Sequence, residues 1–317
     1  MSKFFSPIFR FLSIIISIYI IIYIISKFEC LTYVISNYDI INTKNDKSIK
    51  LVFLSDFHNK KYPGNNQLLI EDIIKINPDY IILGGDFIDF SSIQSKLNNS
   101  KYKNTISFIN NLSKRINENK VNPDFKFKRM IFGFGNHELR LKERTDNEFL
   151  VSIYNEFIDC LTKNDVLILY DDIYDLDDNF SISGLNLYHG YYRNIFSERP
   201  NIKHIELDIL DKYFKDIDMK KFNIMAFHKP DYCEDFLNYG YDLVLSGHNH
   251  GGLIKFPFIG PIFSPDLELL PKYNHGLYTI NDKYAIVSSG IGEHFVKLRV
   301  NNKPEICVIN IHGKDNI

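Results

Sequence analysis

The stretch "YDLVLSGHNHGG" (residues 241–252) joins a short apolar run to two histidines that are one residue apart and flanked by glycines. The run Leu243–Leu245 is typical of a strand buried on both faces. His248 and His250 follow where the chain leaves that strand, and the glycines leave both imidazoles uncrowded. One His-x-His pair is weak evidence alone, because alternate strand residues share a face and surface histidine pairs are common. Its meaning depends on the other apolar runs of the chain.

Four earlier apolar runs have the same character: "IKLVFLS" (49–55), "DYIILGG" (79–85), "RMIFGF" (129–134) and "FNIMAFH" (222–228). Between them, residues 66–77 and 147–164 carry apolar side chains at helical spacing. Three short strand patterns between residues 276 and 311 predict an additional, mainly antiparallel sheet edge. The polar residues 90–103 predict a surface insertion. Alternating strands and helices of this kind predict an α/β fold.

Each of the five runs is followed by side chains that can bind a metal ion or transfer a proton. They are Asp56 and His58, Asp86 and Asp89, Asn136 and His137, His228, and finally His248 and His250. Each has an ordinary alternative: Asp86 as a helix N-cap, for example, or Asn136 as a left-handed turn residue. The carboxyl ends of strands in an open α/β sheet form one crevice, however, so all five sets converge. Burying these carboxylates and imidazoles together is costly unless divalent cations compensate the charge.

Composition limits the classes of partner. The 317 residues include 37 Lys and Arg against 39 Asp and Glu, a formal net charge of −2. Overall charge therefore gives no case for nucleic acid as the main partner, and an anionic ligand must be attracted locally. The four cysteines are widely spaced and form no Cys-x-x-Cys motif, which predicts scattered buried thiols rather than a zinc knuckle or a disulfide framework.

The N-terminus predicts a membrane anchor over residues 1–30. Phe11–Ser26 is an uncharged run of 16 residues between Arg10 and Lys27, and flanking residues can extend it to the roughly 20 that a bilayer requires. A cleaved signal peptide is the alternative, but no small-x-small cleavage pattern follows. Lys3 and Arg10 precede the span, so the positive-inside rule predicts a single-pass protein with an extracytoplasmic globular domain. Residues 31–48 are interpreted as a connector and residues 49–317 as that domain.

The five donor blocks stand in the order Asp-x-His, Gly-Asp, Gly-Asn-His-Glu, His and Gly-His-x-His. In this order they strongly resemble the calcineurin-like metallophosphoesterase superfamily, over roughly Ile49–Ile311. The stretch "GHNHGGLIKFPFIGPIF" (247–263) is similar to a bacterial branch that carries an N-terminal membrane segment or export signal. The resemblance implies a four-layer αββα sandwich of two mixed sheets, here preceded by a transmembrane helix.

The resemblance also implies a dinuclear metal centre. One metal would be held by Asp56, His58 and His250, the other by Asn136, His228 and His248, with Asp86 bridging the two. Carboxylate, amide and imidazole ligands without thiolates suit Mn²⁺, which we favour, and also Fe or Zn²⁺. Two such ions, about 3.5 to 4 Å apart, can bind a bridging hydroxide that attacks a phosphoryl group in line.

Two further residues receive catalytic roles from the same resemblance. His137 would face the leaving group, where it could protonate the departing oxygen or stabilise transition-state charge, and Asp89 would orient His137. The segment Ser183–Pro200 matches no pattern of the family and is predicted on the substrate side. Its Tyr188, His189, Tyr191, Tyr192 and Arg193 could bind a phosphorylated headgroup or base, or simply form packed aromatics. The remaining histidines, His204, His275, His294 and His312, are interpreted as structural or exposed.

The sequence thus predicts a membrane-anchored dinuclear-metal phosphoesterase that acts on a phosphodiester, phosphomonoester or pyrophosphate bond. The substrate would be a phosphorylated small molecule or a lipid-linked compound, with no nucleic acid expected as partner. Two alternatives are a metal-dependent nuclease, which uses the same centre, and a non-catalytic metal-binding scaffold. Scaffolds of this type usually lack one or more ligands, whereas every ligand position is filled here.

Overall fold

The computed structural model describes residues 2–96, 102–192, 202–252, 255–256, 260–261, 264, 269–293 and 298–314. Within these residues the helices are α1 (Ser2–Cys30), α2 (Gln67–Ile76), α3 (Phe90–Lys96), α4 (Lys103–Asn119), α5 (Asn136–Glu143), α6 (Glu148–Lys163), α7 (Leu207–Phe214) and α8 (Cys233–Tyr239). The strands of the first half are β1 (Val34–Asn42), β2 (Ile49–Leu54), β3 (Tyr80–Leu83), β4 (Arg129–Phe132), β5 (Leu167–Ile168), β6 (Asp172–Asp175) and β7 (Phe180–Gly184). Those of the second half are β8 (Phe222–Ala226), β9 (Leu243–Ser246), β10 (Lys255–Phe256), β11 (Gly260–Pro261), β12 (Gly276–Ile280), β13 (Lys283–Val287) and β14 (Glu305–Gly313).

Two mixed six-stranded sheets form the body of the protein. The first has the order β1-β14-β2-β3-β4-β5, in which β2 to β5 are parallel and β14 is antiparallel to β2. The second has the order β12-β13-β9-β8-β7-β6, in which β7, β8, β9 and β13 are parallel. A short hairpin pairs β10 with β11. The parallel strands bring the donor-bearing turns to the carboxyl ends of both sheets.

Four layers account for the burial of the apolar side chains. Phe53 and Ile82 of the first sheet share a core with Ile224 and Leu245 of the second, so the two sheets pack face to face. The outer faces pack against helices: α2, α4 and α6 cover the first sheet, and α7 and α8 cover the second. The predicted αββα sandwich is therefore confirmed, and an apolar helix, α1, precedes it.

Three segments differ from their sequence-based descriptions. Residues 31–48, interpreted as a connector, contain β1, which pairs in parallel with β14 and so belongs to the first sheet. Strand β14 lies inside the first sheet between β1 and β2 instead of extending an antiparallel edge. Both faces of β14 are covered there, which explains why its side chains are almost all buried. In the predicted surface insertion, α3 buries Phe90 and Ile93.

The span Phe9–Cys30 of α1 is 22 residues long and apolar enough to cross a membrane, and within it only Ser26, Glu29 and Cys30 are buried against the rest of the protein. Length and composition alone would also fit a signal sequence. All four cysteines are free and buried, as predicted.

Candidate metal centre

The donor residues lie on the turns that follow five strands. Asp56 and His58 follow β2, Asp86 follows β3, and Asn136 begins α5 after β4. His228 follows β8, and His248 and His250 follow β9. The side chains of all seven are buried. Both sheets contribute, which is why residues nearly 200 positions apart meet at one place.

Two groups of ligand atoms are gathered closely enough to hold metal ions. One comprises Asp56, His58 and His250; another comprises Asp86, His228 and His248; within each group the atoms lie within 4.8 Å of one another. The Nε2 atoms of His58 and His250 are 3.1 Å apart, and His250 Nε2 is 3.3 Å from Asp56 Oδ1. The first group is one of the two ligand sets predicted from the sequence. The second contains His228 and His248 of the other set, together with Asp86, the expected bridge, in place of Asn136.

Asp86 and Asn136 complete the arrangement. Asp86 Oδ2 lies 3.1 Å from His228 Nε2 and 3.9 Å from His58 Nε2, so this carboxylate stands between the two groups. Asn136 Oδ1 is 3.0 Å from His248 Nδ1. His58, Asp86 and His137 form a third group within the same 4.8 Å limit. The bridging position and the amide ligand expected from the sequence are therefore compatible with the observed placement.

His228 tests whether a cation fits this site. Its Nδ1 lies 2.8 Å from the carbonyl oxygen of Gly84, which can only accept, so Nδ1 carries the proton. In the neutral ring Nε2 then offers a lone pair, and this buried atom has no hydrogen-bond partner. It faces Asp86 Oδ2, another acceptor, at 3.1 Å. Two facing acceptors call for a positive charge between them, and imidazole with carboxylate suits divalent transition metals.

The electrostatics of the carboxylates point the same way. Burial raises the pKa of Asp56. Burial also acts to raise the pKa of Asp86, but the imidazoles of His228, His137 and His58 hold it well below its usual range. Burial acts to lower the pKa of His228, but Asp86 and Asp56 outweigh burial and raise it to about 10. The site thus favours positive charge at its centre, carried either by protons or by metal ions.

His137 lies at the edge of this cluster. Its Nδ1 accepts a hydrogen bond of 2.9 Å from the backbone amide of Phe90, so the proton of the neutral ring is on Nε2. That Nε2 atom is 3.9 Å from Asp86 Oδ2. Asp89 Oδ1 is 3.9 Å from His137 Nδ1 but accepts the backbone amide of Ser92 at 3.0 Å. Asp89 therefore caps α3, the amide of Phe90 fixes the ring of His137, and an orienting role for Asp89 stays a prediction.

Close approach of backbone to carboxylate explains two of the glycines. A Cβ on Gly135 would occupy the position of the Asp86 carboxylate, and a Cβ on Gly247 that of the Asp56 carboxylate. Only glycine allows the chain to pass this close to the donors.

Several residues that support the donors received no role in the sequence analysis. Glu138 was part of the Gly-Asn-His-Glu block without a role; it accepts the backbone amides of Asp86, Ile88 and Gly135 at 2.9, 2.9 and 3.1 Å. Burial raises its pKa to about 7. Arg299 Nη2 lies 3.3 Å from His250 Nδ1, and Asn302 Nδ2 donates to the carbonyl oxygen of His250 at 2.7 Å. A lone arginine or asparagine is usually exposed, so the burial of Arg299 and Asn302 could not be predicted from the sequence and is evident only from the structure.

The segment Ser183–Pro200 is described only as far as residue 192, and the side chain of His189 and all of Arg193 lie outside the described residues. Tyr191 and Tyr192 are buried, whereas Tyr188 is exposed. The ring of Tyr192 lies 5.8 Å from that of His248 and 6.4 Å from that of His228. Tyr191 and Tyr192 are therefore packed aromatic residues, and Tyr192 lies beside the donor cluster.

The other histidines pair with carboxylates away from the cluster. His204 is 2.9 Å from Asp235, His275 is 3.2 Å from Glu305, and His312 is 2.8 Å from Asp39. His294 lies outside the described residues.

Comparison with known proteins gives one family. The sequence profile described as calcineurin-like phosphoesterase matches residues 49–252. A metallophosphoesterase of Campylobacter jejuni is 30% identical over 272 residues, which cover 84% of this chain. This chain spans 60% of the length of that relative.

Two more distant proteins are similar along most of their length. The phosphodiesterase YaeI of Escherichia coli is 24% identical over 275 residues, covering 84% of this chain and 83% of that protein. A solved dimetal phosphatase from Danio rerio superposes with a TM-score of 0.42 and 13% identity, covering 76% of this chain and 87% of the other.

The profile match extends over more than half of the chain, and it ends at the Gly-His-x-His turn that supplies His248 and His250 to the donor cluster. The chain therefore belongs to the calcineurin-like phosphoesterase family.

Proposed function

We propose that this protein is a metal-dependent phosphoester hydrolase whose centre holds two divalent cations, Mn²⁺ in the first place and Fe or Zn²⁺ as alternatives. The observation that carries the proposal is the buried cluster of seven nitrogen and oxygen donors, with His228 Nε2 facing Asp86 and lacking a hydrogen-bond partner. Family membership supports the same reaction class.

Each donor has one task in this proposal. Asp56, His58 and His250 hold one cation, and Asn136, His228 and His248 hold the other. Asp86 lies between the two groups and contacts both. Divalent cations in such a site supply Lewis acidity, which increases the acidity of water and neutralises the charge of a phosphoryl group.

His137 acts on the leaving group. The amide of Phe90 occupies its Nδ1, so the neutral ring carries its proton on Nε2 and can donate a hydrogen bond from that atom to the departing oxygen. The ring is buried and stacks edge-on against His58 at 4.9 Å between ring centroids. A fixed ring with a defined tautomer can stabilise the negative charge that develops on that oxygen in the transition state.

The helix α1 leads us to propose a lipid-linked phosphoester as the natural substrate, hydrolysed at a membrane surface. In this proposal α1 is a single-pass anchor and the catalytic domain is extracytoplasmic, since Lys3 and Arg10 precede the span. A membrane-held enzyme meets a membrane-held substrate at high effective concentration.

The experiment uses the full chain in detergent, stripped of metal. Hydrolysis of bis-p-nitrophenyl phosphate and p-nitrophenyl phosphate is measured with and without Mn²⁺, and Asp86→Asn serves as the control. We expect activity that returns with Mn²⁺ in the wild type and stays absent in Asp86→Asn. Two bound metals without turnover of either ester would contradict the expectation that the protein hydrolyses simple phosphoesters. If no metal bound, the proposed function would be wrong.

A further inference from the structure

The last turn of α1 is built into the catalytic domain. Ser26, Glu29 and Cys30 are 2, 7 and 4% exposed, although most of the helix before them is exposed. A simple tether would need no such burial. Two of these residues are polar, so their burial has to be compensated by hydrogen bonds.

Glu29 and Ser26 bind the backbone of residues 299–302. The two carboxylate oxygens of Glu29 accept the amides of Asn301 and Asn302 at 3.1 and 3.0 Å. The hydroxyl of Ser26 accepts the amide of Arg299 at 3.0 Å. Because charged acceptors make the stronger hydrogen bonds, Glu29 is the principal contact between α1 and this segment.

From the same segment, two side chains reach residues of the first ligand group, Asp56, His58 and His250. Asn302 Nδ2 donates to the carbonyl oxygen of His250 at 2.7 Å and also to that of Gly252. Arg299 Nη2 donates to the carbonyl oxygens of Ser289 and Gly292, both at 2.8 Å. The amide of Gly292 in turn donates to the carbonyl oxygen of Asp56 at 2.8 Å.

The third member of this group is linked to α1 as well. Lys60, two residues after His58, donates from Nζ to the carbonyl oxygen of Cys30 at 2.5 Å and pairs with Glu293. Lys60 itself is buried. Ser26, Glu29 and Cys30 are therefore linked, through one to three contacts each, to Asp56, His250 and the turn of His58.

The second group shares one contact with the first, from the amide of His248 to Asp56 Oδ1 at 3.0 Å, and otherwise has supports of its own. His228 Nδ1 is fixed by the carbonyl oxygen of Gly84 at 2.8 Å, and His248 Nδ1 by Asn136 Oδ1 at 3.0 Å. Asn136 is the first residue of α5. The carboxylate of Glu138, in the same turn, accepts the backbone amides of Gly135 and Asp86. These supports come from β3, β8 and α5 rather than from α1.

We infer that the last turn of α1 is a positioning element for one of the two metal sites, the site of Asp56, His58 and His250. The inference rests on the proposed dinuclear function. Displacing this turn loosens the first ligand group and leaves the second largely in place. Residues that orient metal ligands in this way typically change metal affinity by about 10- to 100-fold when they are removed.

The test compares two buried carboxylates in the full chain, purified in detergent and stripped of metal. Glu29→Ala removes the acceptor of the amides of Asn301 and Asn302. Asp242→Ala is the matched control: Asp242 is buried, accepts the amide of Asn223 at 2.7 Å and pairs with Lys44 at 2.8 Å. Asp242 precedes β9, at the opposite end of the strand from His248. Mn²⁺ binding is measured by calorimetry and by electron paramagnetic resonance, and Tm is recorded without metal.

We expect two Mn²⁺ sites in the wild type and in Asp242→Ala. In Glu29→Ala one site keeps its affinity and the other weakens about tenfold, while Tm falls in both variants. Glu29→Gln retains one acceptor oxygen and replaces the alanine variant if that protein does not fold; a smaller weakening of the same site is expected.

Unchanged affinity at both sites of the Glu29 variants would overturn the inference, since Glu29 would then contribute to stability alone. Equal weakening in Asp242→Ala would overturn it too, because any loss of a buried carboxylate would have the same effect. A wild-type protein that binds none of Mn²⁺, Fe²⁺ and Zn²⁺ would instead refute the proposed function, a result that is distinct from both.

Discussion

Left-handed backbone conformations recur among the donor residues. Asp56, His58, Asp86, His248 and His250 have φ values of 54, 46, 54, 67 and 48°. Residues other than glycine rarely adopt this backbone region, and each instance costs on the order of 1 to 3 kcal/mol. Hydrogen bonds hold the conformations in place: the amide of His58 donates to the carbonyl oxygen of Asp86 at 2.9 Å, and that of His248 to Asp56 Oδ1 at 3.0 Å. The strain turns each side chain towards the centre directly after its strand.

At the same scale, a His137 variant separates stabilisation of the leaving group from metal binding. In His137→Ala we expect two metals to remain bound, because His137 belongs to neither ligand set of the proposal. We expect turnover to fall by about 10²- to 10³-fold, since a hydrogen-bond donor to the developing charge is lost. The loss should be smallest for leaving groups of low pKa, which need the least stabilisation of that charge.

The measurement is kcat for a series of aryl phosphodiesters of graded leaving-group pKa, with metal content determined on the same samples. A loss of equal size across the series would exclude the action of His137 on the leaving group. Loss of metal along with activity would make His137 part of the ligand set.

At the scale of the elements, Glu305 fastens β1 and β14 to the loop after β13. It accepts the amide of Ser289 and the hydroxyl of Ser36, both at 2.7 Å, and lies 3.2 Å from His275 Nε2. Burial acts to raise its pKa, but His275 and these donors outweigh burial and lower it to about 2. The carboxylate is therefore bound more favourably in the folded chain than in the unfolded chain.

The sign of the pH effect follows from that lowered pKa. Glu305 stabilises the fold above its ordinary value of about 4.5, and this contribution is lost as pH falls towards 2. It amounts to about 3 kcal/mol at neutral pH. We expect Glu305→Gln to lower the free energy of unfolding at pH 7 and to differ less from wild type near pH 3.

Urea unfolding of both proteins at the two pH values measures this difference. Asp39→Asn is the control, since Asp39 lies on the same strand pair but is exposed. A destabilisation by Glu305→Gln that does not change between pH 7 and pH 3 would contradict the assignment.

The elements also show what could be predicted from the sequence. Apolar runs such as Leu51–Leu54 predict buried strands because both faces are covered, and the polar residues that follow must then lie at one sheet edge. The position of β14 could not be predicted in this way: Val34 pairs with Glu305, and such long-range parallel pairing leaves no local pattern.

Nor could the supporting residues be predicted from the sequence. The roles of Arg299, Asn302 and Glu29 arise only when three distant segments meet. The left-handed backbone conformations could not be predicted from the sequence either, because they result from turns that are imposed by the surrounding fold.

At the scale of the whole molecule, α1 has two separable parts. Residues 9–25 are mainly apolar and exposed, whereas Ser26, Glu29 and Cys30 pack against the catalytic domain. A truncation that begins at Ile25 removes the first part and keeps the contacts of Ser26, Glu29 and Cys30. A truncation that begins at Leu31 removes both. The two proteins therefore distinguish anchoring at the membrane from support of the metal centre.

For the protein beginning at Ile25 we expect kcat/KM on bis-p-nitrophenyl phosphate within about twofold of wild type, because every donor and its supports remain. On vesicles that contain a p-nitrophenyl phosphodiester of a dialkylglycerol we expect at least a tenfold loss, since enzyme and substrate no longer share a surface. Replacing residues 9–24 with an unrelated apolar helix should restore vesicle turnover, because membrane attachment alone is required. The protein beginning at Leu31 should lose activity on both substrates unless Mn²⁺ is raised. If the Ile25 protein instead cleaved both substrates as fast as wild type, attachment through α1 would not be needed for turnover at a membrane surface, and the argument from α1 to a lipid-linked substrate would be refuted.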